Sequence, residues 1–190
     1  MATKKAKAQR KKTGELNPPF EVVSGKLRVT DPCYDKQEVY SAVVDNVKNG
    51  KWDADVRIKN DKNWGKRCAE LFVWHTDYTK EEVFGNESEM KEIEIDEQIG
   101  VDSGQAGVFD AKFYKDDKSV AGAERQRNGE RICEDEPFYS MCCDRTLTEQ
   151  GWGTIPYGAI SSSGIGDGGY TAFKIIDRQG EVVGIKIVFL

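Results

Sequence analysis

Three short polar runs hold the residues whose chemistry could matter. They are Asp31-Pro32-Cys33-Tyr34, Asp102-Ser103-Gly104-Gln105 with Asp110 further on, and Ser161 to Gly169 with Ser163 and Asp167, followed by Tyr170. Gathered at one edge of a fold, these carboxylates, hydroxyls and one carboxamide could hold a polar ligand or a divalent cation. Kept apart, each run would be turn chemistry, because Asp and Ser side chains bond their own backbone in loops. The candidate ligand-binding set is therefore Asp31, Tyr34, Asp102, Ser103, Gln105, Asp110, Ser163, Asp167 and Tyr170.

Other chemistries lack parts. Gly164-Ile165-Gly166-Asp167-Gly168-Gly169 matches a dinucleotide fingerprint letter for letter, but that fingerprint needs a helix next, with its N-terminus facing the pyrophosphate. An alternating β-type pattern follows instead, and 21 residues after Gly169 are too few for a helix, a strand and a ribose-binding acid. The single histidine, His75, sits in an apolar run and reads as structural, so a histidine-rich zinc site is excluded and a Ser-His-Asp triad would rest on that one residue. "NDKNWG" has a trace of a calcium loop in Asp61 and Asn63, lacks the closing glutamate, and reads as a turn. No cofactor and no metal site is expected, and no catalytic residue is assigned.

Composition fits a folded protein of one domain. Of 190 residues, 32% are charged and 38% hydrophobic, with eight Phe, seven Tyr and four Trp to pack. The net charge of -5 hides an asymmetry, since "MATKKAKAQRKK" holds six bases and no acid, leaving 22 bases against 33 acids elsewhere. Residues 1–19 are expected to be a flexible, disordered basic arm and residues 20–190 a single domain. An acidic body argues against a general nucleic-acid surface, so nucleic acid would be reached through the arm alone. No apolar stretch approaches the roughly 20 residues of a membrane helix, which predicts no membrane contact and a cytoplasmic location. The five cysteines form no C-x-x-C pair and are odd in number, so they are expected to be reduced.

The periodicity is mostly β. "FEVVSGKLRVT" reads as an opening hairpin, "KWDADVRIK" as a half-buried strand, and "RCAELFVWHTDY" as another. "EIEIDEQIGVDSGQAGVFDAKF" gives two strands around a kink at Ser103-Gly104, and "YTAFKIID" and "EVVGIKIVF" a closing hairpin. Val39, Val43, Val44 and Val47 predict a short amphipathic helix over 37–48, stopped by Asn49-Gly50. "KDDKSVAGAERQRNGERICEDE" reads as a surface excursion, and Cys142-Cys143 as strand residues on opposite faces. The expected fold is mainly β: a single antiparallel β-sandwich-like domain with one short helix and the disordered N-terminal arm.

"SGKLRVTDPCY", "NVKNGKW", "VDSGQAGVFD", "FYSMCC" and "SSSGIGDGGYTAF" with the final hairpin resemble, in order over residues 20 to 190, the family called domain of unknown function 4241, found in bacteria and their phages. The tail and the polar 115–135 stretch lie outside the resemblance. It implies no assigned activity, but it does imply that the motifs share one compact domain. Its motif residues fall on Asp31, Cys33, Tyr34, Asp102, Ser103, Gly104, Gln105, Gly107, Asp110, Gly164, Asp167, Gly168 and Tyr170.

The leading expectation is a non-catalytic binding module for a protein or small polar ligand, because a β-scaffold with polar loops carries no complete catalytic set. One alternative is a metal-dependent hydrolase using Asp31, Asp102, Asp110 or Asp167. Another is a structural or assembly protein of a phage or larger complex, with the basic arm gripping an acidic partner.

Overall fold

The computed structural model describes residues 17–37, 40–126, 133 and 135–190. Most of the basic arm expected at 1–19, and part of the expected 115–136 excursion, lie outside the described residues.

Among the described residues, twelve strands form two antiparallel sheets. The first has the order β1 (Phe20–Val22), β4 (Gly50–Asp61), β5 (Gly65–His75), β12 (Val182–Val188), β11 (Gly168–Ile176), β6 (Lys91–Glu94), with β7 (Ile99–Val101) also pairing β11. The second has the order β3 (Ala42–Val44), β2 (Leu27–Thr30), β8 (Gln105–Asp110), β10 (Gly158–Ser162), β9 (Trp152–Ile155). The sheets pack face to face over Leu27, Val29, Trp52, Leu71, Ala106, Val108, Ile185 and Ile187, so the sandwich expected from the alternation is present.

Among the described residues, each outer face carries one helix. Helix α1 (Lys80–Phe84) opens with a capping box between Thr79 and Glu82 and presses Val83 and Phe84 onto Phe72 and Trp74 of β5. Helix α2 (Pro137–Thr146) starts with Pro at its first turn and lays Phe138, Met141 and Cys142 on Phe109, Ile155 and Ile160 of the second sheet. Among the described residues no helix is long and apolar enough to cross a membrane.

Several local readings are corrected. The expected helix over 37–48 is not formed by its described residues, Val39 lying outside them: Ala42–Val44 is a strand that pairs with β2, and Val47 bridges Val182. β-Branched valines lose side-chain freedom in a helix and pack well on a pleated surface, so their β preference outweighed their fourfold spacing. β1 and β2 exist but do not form a hairpin. β1 pairs β4 while β2 pairs β3 and β8, and the Ser24-Gly25 turn passes the chain from one sheet to the other. "FYSMCC" is helical, and both Cys142 and Cys143 are buried. The excursion is anchored by buried Val120, at the end of a 3-10 turn over Asp117–Val120.

Candidate functional site

Asp31 follows β2 and is fully buried. Its Oδ1 accepts from the Cys33 amide at 2.8 Å and from Ser103 Oγ at 2.6 Å. Its Oδ2 accepts from the amides of Asp102 at 2.9 Å and Ser103 at 2.7 Å. Two bonds on each oxygen occupy the carboxylate, which makes Asp31 a clasp between the 31–34 and 102–103 loops and leaves it no lone pair aimed at a ligand. Tyr114 Oη closes the same loop from below by donating to Tyr34 O at 2.5 Å, with Asp31 O at 3.1 Å.

The clasp sets the chemistry above it. Burial, and then the Asp31 carboxylate beside it, push the Cys33 thiol up to about 12, so its nucleophilic thiolate is scarce at neutral pH. Burial and a hydrogen bond to the Asp102 carboxylate raise the Tyr34 phenol. Asp102 is itself exposed and Ser103 half-buried.

One turn along, the loop meets helix α2. Tyr139, Cys143 and Thr146 fall four and three residues apart, which places them on one helix face. Gln105, at 3% exposure, donates from Nε2 to Cys143 Sγ at 3.4 Å and accepts at Oε1 from Thr146 Oγ1 at 2.9 Å. Tyr139 lies beside Ser103, Cys143 and Gln105, and burial, then the Cys143 sulfur alongside, push its hydroxyl up to about 12. A polar seam therefore runs from Asp31 through Ser103 and Tyr139 to Gln105 and Thr146. Sequence reasoning missed its α2 half; the available signal was Pro137 followed by apolar residues at helical spacing.

The remaining candidates are turn chemistry. Ser163 donates its amide to Gly104 O at 3.0 Å and its hydroxyl to Gly166 O at 2.8 Å. Tyr170 Oη donates to Gly166 O at 2.6 Å, lies 2.9 Å from Ser163 O, and its ring packs edge-on against Phe189. Asp167 is exposed on this turn, and a strand, not a helix, follows the glycines. Asp110 sits at the opposite end of β8, where its carboxylate accepts from the amides of Val23, Ser24 and Lys112. The structure thus gathers Asp31, Tyr34, Asp102, Ser103 and Gln105, sets the Ser163–Tyr170 turn beside them, and places Asp110 apart. Among the described residues no three His, Cys, Asp or Glu side chains are grouped to hold a metal ion. His75 is buried against Trp52, with Nε2 3.0 Å from Asn49 O and Nδ1 accepting from the Asp77 amide.

The seam ends at a cleft of about 740 Å³ whose lining includes Thr146, Gly151, Trp152, Ser162, Lys66 and Arg67. Ser162 stands directly across from Gln105 in the β8–β10 register, and its amide donates to Gly151 O at 2.8 Å. Cys68 lies on the same wall, its thiol raised by burial. The cleft is open to solvent, and its wall offers hydroxyls, an indole, two cations and the Glu149 carboxylate.

No curated protein and no solved structure matches the chain. The family model described as "Protein of unknown function (DUF4241)" matches residues 20–187. That span runs from β1 into β12 and takes in the clasp, the seam and the cleft, and the chain belongs to this family.

Proposed function

We propose that the domain is a non-catalytic binding module that takes a small polar ligand into the 740 Å³ cleft. The observation that carries this reading is the Gln105 carboxamide: almost wholly buried, it holds Thr146 in the cleft wall while Asp31 and Ser103 hold the loop that leads to it. A wall fixed in advance spares a ligand the entropy of ordering it.

Hydrolysis through a shared metal is the weaker reading, because the carboxylates of Asp31 and Asp110 are committed to backbone amides and Asp110 lies at the other end of β8. Thiol catalysis is weaker too, since Cys33 and Cys68 are held neutral. Five unpaired cysteines suit a reducing, intracellular setting.

The test is a titration of isotope-labelled protein, followed by amide correlation spectra, with ribose, glutamate, citrate, glycerol phosphate and inorganic phosphate in turn. Saturable shifts at Gly151, Trp152, Ser162 and Gly164 with at least one probe are expected. Shifts with none, or shifts confined to other regions, overturn the reading.

A further inference from the structure

Strands β4 and β5 outrun their sheet. β1 covers β4 only over Gly50–Trp52, and β12 covers β5 only over Glu70–Trp74. Beyond the register shift at Arg57/Ile58, the strand residues of 58–68 pair only with each other, Ile58 opposite Cys68, Lys59 opposite Arg67 and Asn60 opposite Lys66. The result is a two-stranded ribbon reaching past the sandwich.

Its charge is opposite to that of the body. Within 58–67 stand Lys59, Lys62, Lys66 and Arg67 against one acid, Asp61, in a chain of net charge -5. Asp61 Oδ1 is engaged with the amides of Asn63 and Trp64 at 2.8 and 3.0 Å. Among the described residues none of the four cations has an acidic partner, whereas Arg57 at the ribbon's base is paired with Glu70. Lys59 directly opposite Arg67 is a like-charge cross-strand pair, which costs stability unless an anion lies over it.

At the tip stands Trp64, 61% exposed, while Trp52, Trp74 and Trp152 are at most 9% exposed. The asparagine amides of Asn60 and Asn63 flank it, both exposed.

We infer that the β4–β5 ribbon is a docking element for single-stranded nucleic acid; Lys66 and Arg67 at its base also line the cleft, whereas Lys59, Lys62 and Trp64 do not. The four cations follow the phosphates and the Trp64 indole stacks on a base, the pairing of charge and aromatic face that single strands require. The acidic body confines the contact to the ribbon. A membrane fits less well, because Trp64 is surrounded by Asn60, Asp61, Lys62 and Asn63 and the next exposed apolar residue, Ile58, lies at the ribbon's base.

The test uses the full chain and fluorescein-labelled single-stranded DNA and RNA of mixed sequence, read by anisotropy at increasing salt. Binding is expected with a log–log salt slope of about -3, from about 0.7 per cation over four cations, together with quenching of tryptophan emission. Trp64→Ala should weaken binding by about tenfold or more and remove the quenching, and Lys59→Glu with Lys62→Glu should abolish binding, neither with a fall in melting temperature, since Lys59→Glu replaces a like-charge pair with Arg67 by an opposite-charge one. Replacing Lys4, Lys5, Lys7, Arg10, Lys11 and Lys12 by Ala should leave the ribbon-dependent binding in place. The inference is overturned if neither oligonucleotide binds at low salt, if binding is lost with the six arm residues but kept in the ribbon variants, or if phosphatidylserine vesicles quench Trp64 while the oligonucleotides do not.

Discussion

Ser103 Oγ donates to Asp31 Oδ1 at 2.6 Å, and the Ser103 amide donates to Oδ2 of the same carboxylate at 2.7 Å. One residue is thereby fixed by both its side chain and its backbone to an acid with no solvent exposure. Seventy-two residues of sequence separate them, so the contact ties the first strands of the second sheet to the loop between the sheets.

Asp31→Ala removes the acceptor for four hydrogen bonds and leaves three amides in or near the interior without a partner. A loss of about 3 kcal/mol is expected, since bonds to charged groups are the strong ones and orphaned donors keep their desolvation cost. Urea unfolding checks this through a lowered midpoint at constant slope. A change under about 1 kcal/mol would mean that the loops hold without the clasp.

Alkaline pH should destabilise the fold. Cys33 is raised from 9.0 to about 12 and Tyr139 from 10.0 to about 12, and Tyr34 and Tyr114 are raised as well, each chiefly by burial. The folded state therefore keeps these protons after the unfolded chain has lost them. Their contribution is intact below about pH 9 and is lost as pH climbs from about 9 towards 12. Urea midpoints measured from neutral pH upward should stay level and then fall over that window, and a level line across it would contradict the burial of these groups.

Arg145 and Asp144 form an ion pair inside the protein, with Asp144 fully buried. Arg145 also donates from Nε to Thr154 O and from Nη2 to Glu124 O, each at 2.7 Å, which ties α2 to β9 and to the 124–126 segment. Arg145→Met should cost about 3 kcal/mol by removing the closest charge partner of buried Asp144, which keeps Arg125 Nε at 3.5 Å and the Gln126 amide at 2.7 Å, and Asp144→Leu with Arg145→Met should cost less than the two single changes added together. Additive losses in a thermal or urea double-mutant cycle would show that the pair is not coupled.

Gly107 is a glycine for want of space. A Cβ there would stand 2.7 Å from Ala159 O and 2.5 Å from the Phe109 ring. Gly107→Ala should cost about 1–3 kcal/mol by overpacking, seen as a lower melting temperature, and an unchanged melting temperature would show that the ring can yield freely.

The sequence was most legible where the pattern is local. The alternation of Ala172 to Ile176 and Val182 to Val188 announced the β11–β12 hairpin, and that of Trp52, Ala54, Val56 and Ile58 announced the inner side of β4 as far as Val56, while Ile58, past the register shift, is exposed. Partner choice was not legible: Phe20–Val22 and Leu27–Thr30 read as a hairpin, but their partners lie in different sheets, and only long-range packing selects them. For the site, the Asp31, Asp102 and Ser103 runs could be singled out by residue type, while Gln105 acquired its meaning from Tyr139, Cys143 and Thr146 on a helix that had read as a strand. Asp110 carried the same chemical promise as Asp31, and its position at the far end of β8 separates the two.

The central claim is that the buried seam shapes the cleft for a ligand, and Gln105→Leu tests it most directly. The substitution keeps the apolar packing of the β8–α2 contact and removes the bonds to Cys143 and Thr146. Amide correlation spectra of wild type and variant, each titrated with ribose, glutamate, citrate, glycerol phosphate and inorganic phosphate, should show saturable shifts at Gly151, Trp152, Ser162 and Gly164 in wild type. In a variant that still gives a dispersed, folded spectrum, those shifts should lose saturation. Identical titration curves in the two proteins, or no cleft shifts in wild type, would contradict the account.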